Sequence, residues 1–468
     1  MAWGQQRRGV DDLVAKLRAN ETGPALLVMS MRKVDESGLC ALADALAENS
    51  SLEELLCSGH SVSEDAAKRL GQALRQNSTL KRLSVGCAQF GDAELAALLD
   101  AWENSTLEAL DLEFKSLTAG GMPHLGSVLA QPSHALQDLR LGRNDLGDGG
   151  VAALAQGLRN GPLFLRNLEL NSSGLGVEGC RALGKALRGS SAAQGSLRLI
   201  LSDNPAIGDA GARALVGDEA AEDKDDAQHS ASSASSSEVS SLSSVCELHV
   251  DACGLGAEGF ASIIAASDRV GSCFHALRIL AVGRNEIKEV SSVTASICAT
   301  QLDGLDLRAN KMGLSGLAAF GAALSKSSQT DSDAAPRLQR LNLTSIGVSV
   351  VEDPTGAGNE DFRAAVGDLL QGVSLKELRL MGNALGNDGV AILADLLREN
   401  ATLETLGIGG VGLTREGAEA LKTPLQENST LRTLELGGND LGDGKTLVDD
   451  FRAARPDLVV ALDGQQQP

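Results

Sequence analysis

The chain has 468 residues, with 41 Lys and Arg against 62 Asp and Glu, a formal charge of −21. That field would repel phosphate, so nucleic acid is excluded as an expected partner. No apolar run approaches the roughly 18 residues of a membrane helix, and the opening MAWGQQRRGVDDL carries no secretory hydrophobic segment. The expectation is a monomeric chain without membrane contact, cytoplasmic or alternatively nuclear.

In chain order, Val10 to Asn20 reads as an amphipathic helix through Val10, Leu13, Val14 and Leu17. It forms an N-terminal cap within residues 1–23. From Pro24 to Asp457 one pattern recurs about fourteen times at a spacing of roughly 28 residues, the signature of a stacked repeat. Leu136, Leu139, Leu141, Asn144, Leu146, Gly150, Leu154 and Leu158 stand at the same offsets as Leu375, Leu378, Leu380, Asn383, Leu385, Gly389, Leu393 and Leu397. The offsets recur from Leu52, Leu165, Leu302 and Leu403.

Within one repeat, alternation through Leu136, Leu139 and Leu141 predicts a short strand with leucines inward and Gln137, Asp138, Arg140 and Gly142 outward. Asn144 falls at the following bend, where its amide can satisfy backbone groups that stacking buries. Asn204, Asn285, Asn310, Asn383 and Asn439 continue the ladder, and Cys253 is a weaker donor in that slot. His60, Ala88, Lys115, Ser173, Ile346 and Val411 interrupt it. Beyond the bend Leu146 enters the core, Gly149 and Gly150 allow close approach, and Val151, Leu154 and Leu158 form the inner stripe of a helix. The segments AENSSL, RQNSTL, WENSTL, RENATL and QENSTL join each helix to the next strand, and their asparagines are expected to end helices in left-handed conformation. Asn20, Asn49, Asn77, Asn104, Asn400 and Asn428 each begin an N-x-S/T triplet, but the triplet belongs to the repeat.

The pattern is broken at residues 217–244, where GDEAAEDKDDAQ leads into HSASSASSSEVSSLSS. Such composition cannot build a core and reads as a disordered acidic, serine-rich loop, with Ser235 a phosphorylation candidate three residues before Glu238. Lys326 to Pro336 and Glu352 to Glu360 are smaller insertions of the same kind. Residues 458–468 read as a final strand, Leu458 to Leu462, and a tail.

The motif L-x-x-L-x-L-x-x-N-x-L followed by G-x-x-x-L resembles the helix-bearing leucine-rich repeats of the ribonuclease-inhibitor type. That resemblance implies an α/β solenoid: a curved horseshoe of about fourteen repeats, with a parallel β-sheet on the concave face and helices on the convex face. Similar repeats occur in ribonuclease inhibitor, Ran GTPase-activating protein and the sensor arms of Nod-like receptors. The resemblance implies protein recognition and leaves a regulator of a small GTPase as the alternative.

Other motifs yield to the repeat. Gly174, Gly176 and Gly179, and again Gly254, Gly256 and Gly259, spell G-x-G-x-x-G between a strand and a helix. Both copies fall on the repeat turn, so the glycines are expected to serve helix packing. NDLGDGKT, Asn439 to Thr446, approaches a P-loop, yet Asn439 fits the ladder. Glu247, His249 and Asp251 alternate on one strand, an arrangement that seldom closes a metal site. The eight cysteines contain no C-x-x-C pair and are read as reduced thiols, four of them, Cys57, Cys87, Cys180 and Cys253, at repeat positions. No catalytic residue, cofactor or metal is expected, and the chain is not expected to be an enzyme.

A binding reading must then lie on the outward positions of the strands. These are Asp111, Glu113, Phe114, Arg140, Arg143, Glu169, Asn171, His249, Asp251, Arg284, Asp306, Arg308, Arg379 and Glu435. Arginine there can grip a partner's carboxylates in bidentate fashion. With no tyrosine and two tryptophans, the expectation is modest affinity or a large polar contact.

Overall fold

The computed structural model describes residues 9–100, 102, 105–189, 197–217, 245–290, 293, 296–297, 300–328, 337–350 and 357–462. Asn104, Ser235, His229, Cys298 and all but Gly217 of the acidic, serine-rich segment lie outside the described residues. The chain divides into two compact units, one of Met1–Glu247 with Gly271–Cys273, the other of Leu248–Val270 with Phe274–Pro468.

In the first unit, strands Ala25–Leu27, Glu54–Ser58, Arg82–Gly86, Ala109–Asp111, Asp138–Arg140, Asn167–Glu169 and Leu197–Ile200 pair in parallel, in the order of the sequence. The register aligns Leu26, Leu55, Leu83, Leu110, Leu139, Leu168 and Leu199, all of them buried. Each contributes about 1.5–3 kcal/mol by leaving water, and a slip of one residue would turn all of them outward. The second unit repeats the design. Strands Ile279–Ala281, Gly304–Asp306, Arg340–Asn342, Glu377–Arg379, Thr405–Gly407, Thr433–Glu435 and Val459–Ala461 align Leu280, Leu305, Leu341, Leu378, Leu406, Leu434 and Val460.

Helices cover the other face of the sheet. Helix Asp11–Arg18 buries Leu13, Val14 and Leu17, and Gly147–Asn160 buries Val151, Leu154 and Leu158 as its spacing predicts. Side-chain caps start three of the described helices: Asp35 accepts from Gly38 N at 2.8 Å, Ser63 from Ala66 N at 3.2 Å and Asp443 from Lys445 N at 3.2 Å. Within helix Gly147–Asn160, packing requires glycine at Gly157 but not at Gly149. A Cβ on Gly157 would lie 2.2 Å from the Gly126 carbonyl oxygen, whereas one on Gly149 would meet nothing nearer than 3.9 Å. Near the smaller insertions, helix Gly313–Ser328 ends just past Lys326, and helix Ala357–Gly372 begins before Glu360.

The asparagine ladder is present as read. Asn144 Nδ2 donates to the Leu112 and Leu141 carbonyls at 2.8 Å each, while its Oδ1 accepts from Lys115 N and Leu117 N at 2.8 and 3.1 Å. Asn204, Asn285, Asn310, Asn383 and Asn439 make the corresponding bonds. Ser173 Oγ serves the slot with one donation to Leu170 O at 2.7 Å, and His60 Nε2 lies 3.2 Å from Val28 O.

The helix-ending asparagines correct the expectation of left-handed backbone. Asn49, Asn77, Asn400 and Asn428 are extended, with φ between −74 and −81. Only Asn20 among the described triplets has positive φ, at 56. The reason is a second ladder: Asn77 Nδ2 donates to Leu46 O and Asn49 O at 2.7 and 2.8 Å, and its Oδ1 accepts from Leu80 N at 2.7 Å. Asn428 repeats this toward Leu397 O and Asn400 O. Side-chain bonds between repeats satisfy the helix end, so no left-handed residue is required there.

Candidate protein-binding face

The face of the sheet opposite the helices carries the outward residues, and strand register sorts them into rows. In the first unit Ser84, Asp111, Arg140 and Glu169 occupy one row, with Arg82, Ala109, Asp138 and Asn167 in the row two residues earlier. Arg140 contacts Asp138 at 3.1 Å on its own strand and Glu169 at 3.7 Å on the next. The hydrogen bond to Asp138, more than any longer-range attraction, raises the Arg140 pKa. Arg82 holds Glu54 at 3.1 Å, Arg198 holds Glu247 at 3.1 Å and Arg143 holds Glu113 at 3.4 Å. Asn171 lies so close to Gly142 that any Cβ there would sit 2.3 Å from its Oδ1.

The second unit uses the same chemistry. Arg379 bridges Glu377 at 3.0 Å and Glu435 at 3.4 Å, and Arg308 spans Asp306 at 2.8 Å and Asp251 at 3.0 Å. Burial raises the Asp306 pKa, with the Arg308 backbone N–H and guanidinium pulling it down. His249 is half-buried and Arg284 exposed, the latter on a turn with φ 54.

Two expectations change here. Asp251 is not open to a partner: it is 3% exposed, accepting from Gly283 N at 3.1 Å and from Arg308 at 3.0 Å. Nor are the arginines held ready for a partner, because Arg140, Arg308 and Arg379 are already paired with carboxylates of this chain. Phe114 does project, 61% exposed, from a residue with φ 56.

One cluster escaped the sequence reading. Lys115 fills a ladder slot but sends its side chain across the sheet, where Nζ donates to Ser58 Oγ at 3.4 Å. Ser58 and Ser84 hydroxyls are 2.6 Å apart, and Ser84 Oγ donates to Asp111 Oδ2 at 2.9 Å. A hydroxyl has one proton, so the direction is set: Lys115 to Ser58 to Ser84 to Asp111. Lys115 is 6% exposed, and burial lowers its pKa against the attraction of Asp111. The exposed Leu27, Met29 and Met31, at the end of the first strand and just beyond it, were a further signal available in the sequence.

The glycine-rich turn is filled from within. Gly176 N and Gly179 N both donate to Asp148 Oδ1, at 2.6 and 3.0 Å, so a carboxylate from the preceding repeat lies where those amides would meet an anion. Asp92 and Asn387 serve Thr118 N and Thr414 N in the same way, each at 2.9 Å. Asn439 belongs to the ladder, and the Asp443 carboxylate accepts from Lys445 N in the P-loop-like segment. Among the described residues, no group of three or more His, Cys, Asp and Glu is placed to hold a metal. Likewise, no helix among them is long and apolar enough to cross a membrane.

The family model described as Leucine Rich repeat matches residues 133–155, 196–216, 373–394 and 427–444. These are leucine-rich repeats. Each matched segment spans the strand, the asparagine bend or the adjoining helix that the ladder binds together. An internalin from Listeria monocytogenes is similar at 15% sequence identity over 97% of this chain and 96% of that chain, with a TM-score of 0.37. Leucine-rich repeats build protein-interaction scaffolds, and this chain has that general architecture.

Proposed function

We propose that the chain is a non-enzymatic scaffold that holds a protein partner on the open face of its sheet, and that its leucine-rich repeats are of the ribonuclease-inhibitor type. Full helices of 13 to 16 residues, such as Glu64–Gln76 and Ala357–Gly372, support that type. The observation that carries the function is the lattice of arginines each clamped between a carboxylate of its own strand and one of another strand, Arg140 between Asp138 and Glu169 and Arg379 between Glu377 and Glu435. Side chains held this way lose little freedom on binding, and fixed charges of both signs discriminate between partners. A reducing compartment agrees with the seven described cysteines being outside any disulfide, four of them buried.

The test is affinity purification of the full chain from native cells, followed by the Arg140→Glu variant. A reproducible partner is expected on the wild type, with binding at least tenfold weaker when that substitution sets a third carboxylate beside Asp138 and Glu169. Reproducible absence of any partner on the wild type overturns the scaffold reading.

A further inference from the structure

The outward row of the first unit does not begin with charge. Strand register runs Leu27, Leu56, Ser84, Asp111, Arg140, so two leucines precede the polar members on one face. Leu27 is 62% exposed, Met31 72%, and Met29 between them 48%. Next to this apolar end lies a cavity of about 110 Å³ lined by Leu56, Ser84, Asp111, Asp138, Arg140 and their neighbours.

Three carboxylates line that cavity, and they are not equivalent. Glu54 receives two bonds from Arg82, at 3.1 and 3.2 Å, and Asp138 two from Arg140, at 3.3 and 3.1 Å. Asp111 instead accepts from uncharged donors, the Ser84 hydroxyl and the Glu113 N–H at 3.0 Å. Lys115, through two serines, and Arg140, on the next strand, attract it through space, but neither donates it a hydrogen bond. Asp111 is therefore the carboxylate of this cavity with charge left to offer, in a chain whose formal charge of −21 draws basic partners.

We propose that this row receives an extended segment of a protein partner bearing an apolar residue over Leu27 and Leu56, and a lysine or arginine on Asp111. Strands about 4.8 Å apart put Leu56 and Asp111 roughly 10 Å from each other, and an extended segment in the polyproline II conformation, with three residues per turn and about 3.1 Å per residue, sets side chains i and i+3 on one face at about that spacing. The recognised pattern is thus apolar-x-x-basic. The basic group completes the charge of Asp111, and the apolar group covers side chains that the fold leaves in water. This assignment rests on the scaffold reading and names the chemistry of the partner.

The test displays random nine-residue peptides to the full chain and sequences those retained, using wild type, Asp111→Asn, Asp111→Lys and Leu27→Ser/Met31→Ser. Wild type should enrich Lys or Arg three residues after Leu, Ile, Met or Phe. A retained peptide should bind Asp111→Asn at least tenfold more weakly, Asp111→Lys should enrich Asp or Glu at the basic position, and the Leu27/Met31 variant should lose the apolar preference. Thermal melts of each variant exclude unfolding as the cause. Enrichment of peptides without a basic residue, or enrichment that Asp111→Lys leaves unchanged, overturns the assignment while the scaffold reading stands. Failure of wild type to enrich any peptide also overturns the assignment, and the scaffold reading then answers to the affinity purification alone.

Discussion

Replacing Asn144 with alanine would orphan four backbone groups at once. The Leu112 and Leu141 carbonyls lose donors at 2.8 Å, and the amides of Lys115 and Leu117 lose an acceptor at 2.8 and 3.1 Å. Asn144 is buried, so water cannot replace it without opening the turn. At about 1 kcal/mol for each unsatisfied group the loss is about 4 kcal/mol, a large part of the roughly 5–15 kcal/mol that holds a domain together. Because stacked repeats depend on their neighbours, the damage should centre on the interface between residues 112 and 144 rather than spread evenly. Urea unfolding gives the total. Hydrogen exchange gives the place: the Lys115 and Leu117 amides should lose about a thousandfold in protection if they exchange through that local opening. A loss below about 1 kcal/mol with both amides still protected would refute the claim that the amide ladder stabilises the stack.

Three further outcomes follow from the same geometry. Gly157→Ala should lower stability by about 1–3 kcal/mol by driving a methyl into the Gly126 backbone, whereas Gly149→Ala, whose methyl would meet only Ala119 at an ordinary contact distance, should be neutral or stabilising by up to about 1 kcal/mol; paired thermal melts decide between them. Burial lowers the Lys115 pKa from its ordinary 10.5, so between the folded and unfolded values the unfolded chain holds more protons and stability rises with pH. The difference between wild type and Lys115→Met, followed by urea midpoints from neutral pH to 10.5, should show that rise, and a flat difference would contradict it. Burial pushes the thiol of Cys57 up to about 12 and that of Cys273 up to about 11, so in native protein both should resist a thiol-exchange reagent that labels half-buried Cys40 and Cys87.

Periodicity made the strands and inner stripes readable, because Leu139 or Leu378 can satisfy a two-residue and a roughly 28-residue spacing in only one way. Asn144 was readable as a ladder residue because its slot repeats at the same offset. Pairing across strands was not, since it depends on which residues the register brings side by side: Arg140 meets Glu169, and Asp251 is covered by its bonds to Arg308 and Gly283. Lys115 was seen only as an interruption. Its length lets it leave the slot and reach Ser58, 57 positions earlier, a contact that no local pattern encodes. The turn asparagines were misjudged for a related reason, because a left-handed helix end is a local solution and the stack offers Asn77 a neighbour's carbonyls instead.

Those turn asparagines bear on how the protein should be produced. Asn49, Asn77 and Asn428 stand in triplets that a eukaryotic secretory host would glycosylate on the nascent chain, yet in the folded chain each is buried with its Nδ2 protons committed to backbone oxygens and, at Asn49, to the Ser51 hydroxyl as well. A sugar attached at Asn77 would take one of those protons and wedge a bulky group between adjacent turns. Export through such a host would therefore yield chains barred from closing the stack, and a host that leaves asparagine bare is the physically sound choice.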